Sequence, residues 1–216
     1  MKIQVSFNDD DSRAVNVTIQ HGAEKSGKIT RKRISIESFI QSILSSSSNG
    51  EHLLSIGSLP NGYVSGKISP TGTMEYKVLL QIPSAKRAVF YYGTSYYVPF
   101  PSIVFLFETG PRGNLTKSQC VAAGNISNNE FYHYPFGNVY DDYSICWGNV
   151  FLPQISEMRD FDKITTAFFT SDTNDDLWTA PISQNIKTQR NMLEELSKMD
   201  FFPKDWLRPC HFNAEI

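Results

Sequence analysis

YHYPFGNVYDDYSICWGN, residues 132–149, is the stretch that decides how the rest of the chain is interpreted. It brings a histidine, two asparagines, two adjacent aspartates and a cysteine together, with little periodicity. Such a segment is either a polar surface loop that happens to hold a cysteine or an active-site segment. The sequence on both sides of it has to distinguish these two interpretations.

Strand-forming runs precede this stretch and predict an antiparallel β-meander between Leu53 and about Phe107. The runs are YVSGKI, MEYKVLLQI, RAVFYYG and SIVFLFE, and Pro, Gly and Ser separate them. Pro99 and Pro101 stand just before the last run and indicate a strand entry or an edge, because proline has no N–H for a ladder. LTKSQCVAA predicts one more strand, which would bury Cys120.

Residues 1–34 predict a β extension that comes before the first helix. KIQVSF and AVNVTIQHG alternate apolar and polar residues around the acidic turn NDDDS, which predicts a hairpin. The basic cluster KITRKR, residues 28–33, is interpreted as a solvated turn or a strand edge rather than a phosphate-binding patch. A helix is expected after Ser35, which can cap it, since apolar residues then recur at helical spacing: Ile36, Phe39, Ile40, Ile43 and Leu44.

Residues 151–216 predict a C-terminal helical part. DFDKITTAFF and SQNIKTQRNMLEELSKM have helical patterns, and the second helix is expected to begin near Ser183, after Pro181. FFPKDW is expected to pack its aromatic side chains back onto the body. With the helix, meander and active-site loop of residues 35–150, these elements predict one α+β domain over residues 1–216. The apolar face of the last helix is expected to contain Leu193, Leu196 and Met199.

Composition argues against several classes of function. The 216 residues are 40% hydrophobic and carry a net charge of −2, which argues against a nucleic-acid binder. No run reaches the about 18 apolar residues of a membrane span, and the start MKIQVSFNDDD does not predict a signal peptide. Cys120, Cys146 and Cys210 are too scattered for a disulfide framework, so we expect a cytoplasmic protein.

Common enzyme chemistries were tested against the motifs that they require. The sequence lacks a glycine-rich phosphate loop. It also lacks the closely spaced His and Cys pairs of a metal site, so we expect neither a metal nor an organic cofactor. A Cys-dependent hydrolase stays open, because His21, His52 or His211 can in principle activate a thiol.

Cys146 and Asn138, which stands eight residues ahead of it, remain as candidates. A cysteine thiol can carry an acyl group as a thioester, and an amine attacks the thioester through a tetrahedral oxyanion. A side-chain amide such as that of Asn138 is a suitable hydrogen-bond donor to the oxyanion. Asp141 and Asp142, on the same loop, either orient the incoming amine or form a solvated turn.

FGNVYDDYSICWGN resembles the active-site segment of the ubiquitin-conjugating (UBC) superfamily. In that family a His-Pro-Asn turn leads through an aliphatic residue and a polar loop to Gly-Ser-Ile/Val-Cys-Leu. Asn138, Val139 and Cys146 fall on the Asn, the aliphatic residue and the catalytic Cys. A helix followed by a meander is also the family order, so the resemblance implies a UBC-like fold.

The chain departs from this superfamily pattern in the turn and around the cysteine. Phe136 and Gly137 replace the His-Pro pair, Tyr143 replaces Gly, and Trp147 replaces Leu. LLSIGSLPNGYVSG, VPFPSIVF and the stretch 132–149 resemble instead the prokaryotic UBC-like family D, also known as PRTRC system protein B. That family carries Asn-Val-Tyr-Asp-Asp/Glu-Gly-x-Val/Ile-Cys-x-Gly-Asn, which this chain matches apart from Tyr143.

The resemblance implies ubiquitin-like conjugation in bacteria. Family members are found in mobile-element gene clusters beside an activating-enzyme-like protein and a JAB-type protease. The implied function is a transferase: Cys146 receives a ubiquitin-like modifier as a thioester from the activating enzyme, and Asn138 polarises the carbonyl during transfer to an amine. The alternative is a UBC-like scaffold that binds such a protein without transfer, and the presence of Cys146 favours the enzyme.

Other residues near the cysteine have less specific roles. Tyr143 and Trp147 are expected either to shield the thiol from water or to pack as ordinary aromatic side chains. His133 is either a functional base or a residue that packs beside the turn. Asp175 and Asp176 either border the site from the following loop or form the acidic first turn of a helix.

Overall fold

Strands make up most of the regular structure in the computed structural model, which describes residues 2–8, 11–21, 28–40, 58–69, 74–181 and 186–214. The chain divides into two compact units, Met1–Ser55 and Ile56–Ile216. The expectation of one domain over residues 1–216 stays a prediction.

The described part of the first unit contains an antiparallel sheet in the order β1-β2-β3, formed by Lys2–Asn8, Asp11–His21 and Lys28–Ser35. The predicted hairpin is confirmed, and the basic cluster KITRKR lies in a third strand at the edge of this sheet. Residues 36–40 are helical and belong to α1. The Ser35 hydroxyl accepts the Ser38 N–H at 3.0 Å, which confirms the predicted cap. Ile43 and Leu44 lie outside the described residues.

The second unit is built on a mainly antiparallel sheet that gathers six of its described strands. These strands stand in the order β12-β10-β9-β8-β5-β4, so neighbours in the sheet are mostly neighbours in sequence. The predicted meander is confirmed in this sheet, and Cys120 is fully buried in β9 as expected. The six strands are β4 (Tyr63–Ile68), β5 (Tyr76–Ile82), β8 (Ser102–Thr109), β9 (Leu115–Ala123), β10 (Phe131–His133) and β12 (Pro209–Cys210).

A hairpin leaves the meander between β5 and β8 and forms its own small sheet. β6 (Ala85–Tyr91) and β7 (Thr94–Phe100) pair with each other, and β11 (Asp172–Thr173) adds to β6 in parallel. The prediction that the RAVFYYG run belongs to the meander is therefore wrong. Pro83 and Pro101 stand at the two points where the hairpin leaves and rejoins, and neither can donate a ladder hydrogen bond there. Pro99 lies within β7, an edge strand of this sheet, as its missing N–H predicts.

Two helices of the second unit lie C-terminal to the sheet strands β4–β10. α2 spans Phe161–Thr170 and confirms the helix expected from DFDKITTAFF. α3 spans Gln189–Leu196, and it begins later than expected because the Thr188 hydroxyl caps it by accepting the Asn191 N–H at 3.2 Å. Ser183 lies outside the described residues. Leu193 and Leu196 are fully buried on the apolar face, as predicted, and Met199 is half-buried.

The main sheet is buried on both faces, which explains the continuous apolar run of β8. Phe105 and Phe107 point to one face, where they contact Phe168 and Phe161 of α2 at ring separations of 5.2 and 5.6 Å. Val104 and Leu106 point to the other face and join a cluster that also contains Leu79, Val121, Phe131 and Phe212. The α+β prediction is confirmed.

The C-terminal aromatics behave differently from one another. Trp206 is buried, and the Phe202 ring packs 6.1 Å from that of Phe136, as expected for FFPKDW. Phe201 is 84% exposed, so the expectation is wrong for this residue. No helix among the described residues is long and apolar enough to cross a membrane.

Phe168 connects α2 to the candidate site, because its buried ring contacts Phe105, Tyr134 and Trp147. Phe168→Ala removes these contacts and leaves a cavity, so we expect the free energy of unfolding to fall by about 3–5 kcal/mol. Urea denaturation of the two proteins measures this difference. The matched control is Phe201→Ala at an exposed position, expected within about 0.5 kcal/mol of wild type. Equal losses in both variants would contradict this packing.

Glu130 holds the chain at the entry to β10. Its carboxylate accepts hydrogen bonds from the Lys204 ammonium at 2.6 Å, the Tyr132 hydroxyl at 2.5 Å and the Asn125 N–H at 3.1 Å. These contacts, that of Lys204 first, lower the pKa of Glu130 from 4.5 to about 2.

Because the folded pKa lies below the ordinary value, Glu130 stabilises the fold above pH 4.5, and this contribution is lost as the pH falls through about 2. We expect Glu130→Gln to melt at a lower temperature than wild type at pH 7. The two melting temperatures should converge as the pH is lowered towards 2. Thermal unfolding at several pH values checks this, and a difference that stays constant across the range would speak against it.

Candidate functional site

Residues 138–146 form a tight β-hairpin. The Cys146 N–H donates to the Asn138 carbonyl oxygen at 2.8 Å, and the Tyr140 N–H donates to the Ser144 carbonyl oxygen at 2.9 Å. Three residues then close the loop, and the last of them, Tyr143, has a φ of 71°. A three-residue hairpin loop commonly ends in such a left-handed residue, for which glycine is favoured. A glycine at position 143, as in the family D segments that this stretch resembles, would adopt the same φ without steric cost.

The alternation of the hairpin separates an inner from an outer face. Val139 and Ile145 pair with each other and are only 8% and 6% exposed, so they anchor the two limbs to the body, as their apolar character predicts. Because side chains alternate along a strand, Asn138, Tyr140 and Cys146 are presented together on the opposite face. The hairpin thus places the candidate nucleophile opposite the candidate oxyanion donor.

The limb that carries the cysteine is an extension of the main sheet. The Ile145 N–H donates to the Ser118 carbonyl oxygen at 3.0 Å, and the Cys120 N–H donates to the Tyr143 carbonyl oxygen at 2.9 Å. The Trp147 indole N–H also donates to the Ser118 hydroxyl at 2.9 Å. β9 therefore fixes the position of the cysteine through main-chain and side-chain contacts.

Phe136 and Gly137, which stand where the UBC superfamily that this stretch resembles carries His-Pro, have clear structural roles. The Phe136 ring is 2% exposed and packs 4.6 Å from the ring of Phe100. A Cβ on Gly137 would lie 2.6 Å from the Asn174 carbonyl oxygen and would also collide with the Thr173 hydroxyl. Glycine is thus required for the turn to approach the segment that follows α2.

Asn138 joins the hairpin to that segment. Its amide nitrogen donates to the Asp172 carbonyl oxygen at 2.8 Å and to the Ser171 hydroxyl at 3.3 Å. Both N–H groups are therefore engaged, and the side chain holds β11 against the hairpin. The predicted role of Asn138 as oxyanion donor stays a prediction.

A pocket surrounds the half-buried Cys146 thiol. The hairpin, the turn after Cys146 and the segment after α2 form its walls. The charged residues that line it, among those the structure describes, are the aspartates Asp172 and Asp176. Other lining residues are Asn138, Tyr140, Trp147, Gly148, Asn149, Val150, Ser171, Asn174 and Leu177.

Tyr140 is the functional candidate that the sequence analysis missed. Its hydroxyl donates to the Cys146 sulfur at 3.4 Å, and this hydrogen bond is the main reason why the pKa of Tyr140 is raised. The sequence does indicate this position. Successive side chains of a strand point to opposite faces, so Asn138 and Tyr140 share the face opposite Val139.

Asp141 and Asp142 lie at the tip of the hairpin and do not line the thiol pocket. The Asp142 carboxylate accepts hydrogen bonds from the Ser144 hydroxyl and N–H, which lowers the pKa of Asp142. Asp141 lies 3.7 Å from the Arg208 guanidinium. The structure therefore brings Asp176 to the thiol pocket instead of this adjacent pair.

Asp175 has a different role from its neighbour Asp176. Its carboxylate accepts a hydrogen bond from the Tyr91 hydroxyl at 2.8 Å and one from the Gln189 N–H, at the start of α3, at 3.2 Å. It thus fastens the loop to β6 and α3, while Asp176 lines the pocket.

Of the two aromatic neighbours of the cysteine, Trp147 lines the thiol pocket and Tyr143 does not. Trp147 lines the pocket, and its ring packs 6.1 Å from that of Phe168. Tyr143 turns away from the pocket: its hydroxyl donates to the His211 carbonyl oxygen at 3.0 Å, and its ring packs against Phe212. Trp147 thus forms part of the pocket wall, and its shielding of the thiol stays a prediction, whereas Tyr143 packs as an ordinary aromatic residue.

His133 lies away from the thiol pocket, with its ring 5.3 Å from that of Tyr143. Burial and the nearby Arg208 lower the pKa of His133. His211 does not line the pocket either, while His52 and the side chain of His21 lie outside what the structure describes. Among the described residues, no group of His, Cys, Asp and Glu is arranged to hold a metal ion.

The contact between Tyr140 and Cys146 has a measurable consequence. An acceptor sulfur favours the protonated phenol, and a thiolate repels a phenolate, so both raise the pKa of Tyr140. Cys146→Ala removes the sulfur, and we expect the pKa of Tyr140 to fall towards about 10. NMR titration of ¹³C-labelled tyrosine, assigned with Tyr140→Phe, measures it. Cys210→Ala is the control, and an equal fall in that variant would count against the contact.

Comparison with known families adds one finding. A family model described as prokaryotic E2 family D matches residues 57–210. The match begins next to the boundary between the two compact units and contains the hairpin and the whole thiol pocket. No curated protein and no solved structure gives a significant match.

Proposed function

Since the chain belongs to prokaryotic E2 family D, we propose that it carries a ubiquitin-like modifier as a thioester on Cys146 and transfers it to an amine. The α+β architecture is a UBC-like fold. The observation that carries the proposal is the hairpin within the matched region, which presents a half-buried thiol directly opposite Asn138. The family supports a ubiquitin-conjugating-like transferase, and the thioester on Cys146 is our proposal.

The first step is thioester exchange with an activating-enzyme-like partner. The Cys146 sulfur attacks the carbonyl carbon of the modifier's C-terminal residue, which is bound to a cysteine of the partner. A C–S bond forms to Cys146 as the partner's C–S bond breaks, and the proton of the Cys146 thiol passes through solvent to the partner's leaving thiolate. The exchange conserves the oxidation state and needs no cofactor in this chain, and the partner consumes the ATP.

The second step is attack of an amine on the Cys146 thioester. A C–N bond forms, the carbonyl oxygen becomes an oxyanion, and collapse breaks the C–S bond to release the Cys146 thiolate. Asp176 lines the pocket and is the carboxylate that we assign to orient the amine, whose proton passes to solvent. The Tyr140 hydroxyl, 3.4 Å from the sulfur, donates to the departing thiolate.

Asn138 can stabilise the oxyanion with a small rearrangement. Its amide donates to the Asp172 carbonyl oxygen at 2.8 Å and more weakly to the Ser171 hydroxyl at 3.3 Å. Exchange of the longer hydrogen bond for the oxyanion leaves the shorter one in place. In this proposal Asn138 both holds β11 and polarises the carbonyl.

The partners are proposed from the family resemblance alone. We propose an activating-enzyme-like protein as donor, a ubiquitin-like protein as cargo and a JAB-type protease as the enzyme that removes it, within a PRTRC-type bacterial system in the cytoplasm. The carboxylate of Asp176 in the pocket lining suits an amine that is cationic before it loses its proton, such as a lysine side chain.

A charging assay tests the proposal. We incubate the protein with the activating enzyme, ATP and the modifier from its own gene cluster and separate the products on non-reducing gels. We expect an adduct that reducing agent cleaves, that is absent in Cys146→Ala and that Cys146→Ser converts to a reductant-resistant oxygen ester.

Cys210→Ala, which removes another half-buried thiol, is the matched control and should charge like wild type. An adduct that persists in Cys146→Ala would place the thioester elsewhere. If an activating enzyme that demonstrably charges itself gives no adduct with wild type, a non-catalytic scaffold replaces the transferase.

A further inference from the structure

The turn between β6 and β7 reaches the wall of the thiol pocket. Tyr92 and Gly93 form this two-residue turn and have φ values of 46° and 74°. The Tyr92 N–H donates to the Thr173 carbonyl oxygen at 3.3 Å. The Gly93 N–H lies 3.1 and 3.2 Å from the two carboxylate oxygens of Asp172. Two successive N–H groups of the turn therefore hold both residues of β11.

Asp172 continues this line of contacts to the cysteine. Its carbonyl oxygen accepts the Asn138 amide at 2.8 Å, and the Asn138 carbonyl oxygen accepts the Cys146 N–H at 2.8 Å. Asp172 thus has its carboxylate on one side, at the β6–β7 turn, and its carbonyl on the other, at the hairpin of the thiol. A shift of this residue would displace the Asn138 amide.

The aspartates after α2 consequently differ in what they can do. Asp172 directs its carboxylate to the Gly93 N–H, and Asp175 directs its own to Tyr91 and the start of α3. Asp176 accepts the Asn174 amide at 2.9 Å within its own turn and lines the pocket. The carboxylates of Asp172 and Asp175 fasten the wall, whereas that of Asp176 bonds within its own turn beside the pocket.

We propose that Asp172 is a positioning residue, whose carboxylate bond to the β6–β7 turn sets the placement of Asn138 and Asp176 at the thiol. This inference rests on the proposed transfer reaction and goes beyond it, because it assigns the β6–β7 hairpin a part in the chemistry. Asp172 acts through its hydrogen bond, so its negative charge is dispensable for transfer.

Conservative substitution separates positioning from charge. The Gly93 N–H needs one acceptor oxygen, and the carbonyl oxygen of an asparagine side chain supplies one. Asp172→Asn therefore keeps the contact, whereas Asp172→Ala loses it. At Asp176 the carboxylate itself is required in the proposed reaction, so Asp176→Asn is expected to behave like Asp176→Ala.

The experiment measures discharge of the preformed Cys146 thioester to free lysine after ATP is removed. We expect Asp172→Ala to charge normally and to discharge about threefold to tenfold more slowly, which is the effect of losing one hydrogen bond of ordinary net strength. Asp172→Asn should recover most of that loss and keep the wild-type dependence of the rate on pH. Asp172→Asn as slow as Asp172→Ala, or Asp172→Ala as fast as wild type, would overturn the proposal.

Amide hydrogen exchange gives a readout that does not depend on transfer. In the uncharged protein we expect the Gly93 amide to exchange faster in Asp172→Ala than in wild type, with Asp172→Asn close to wild type. Equal exchange in wild type and Asp172→Ala would show that the contact is absent in solution and would refute the positioning role. Failure of wild type to charge would instead refute the proposed function and leave this result standing.

Discussion

The hydrogen bond from the Cys146 N–H to the Asn138 carbonyl oxygen is the contact on which the candidate site depends. It closes the hairpin, and by closing it sets which side chains share a face. Val139 and Ile145 are buried on one side, and Asn138, Tyr140 and Cys146 are presented on the other. Because β9 holds the cysteine limb, this local pairing is continuous with the main sheet.

Local patterns in the sequence were sufficient for much of the fold. The apolar runs predicted β5 and β8 because both faces of the main sheet are buried there, so each run is long. For β9 only the apolar end of LTKSQCVAA gave this signal. The sequence did not show that β6 and β7 form a separate sheet, because the pairing partner of a strand is set by long-range contacts. Pro83 stands between β5 and β6, and Pro101 stands between β7 and β8. Taken together, the two prolines mark where the β6–β7 hairpin leaves and rejoins the main sheet.

For the candidate site too, the sequence predicted the local hairpin but not the residues that pack against it from far along the chain. Alternation within residues 138–146 identifies the face of the thiol, whereas the opposite wall comes from residues far along the chain, such as Asp172, 34 positions after Asn138. An acidic pair near a cysteine in sequence was therefore a poor guide to the carboxylates near it in space. Asp141 and Asp142 close a turn, and Asp176 reaches the pocket.

The backbone and the packing of Tyr143 restrict which amino acids can stand at this position. Its left-handed backbone is easy for glycine and unfavourable for most other residues. Its ring, in return, is held by Phe212, by His133 and by a hydrogen bond to the His211 carbonyl oxygen. Glycine satisfies the backbone and a large aromatic residue satisfies the packing, whereas a β-branched residue satisfies neither. A glycine and a packed aromatic residue are thus two separate solutions for one turn.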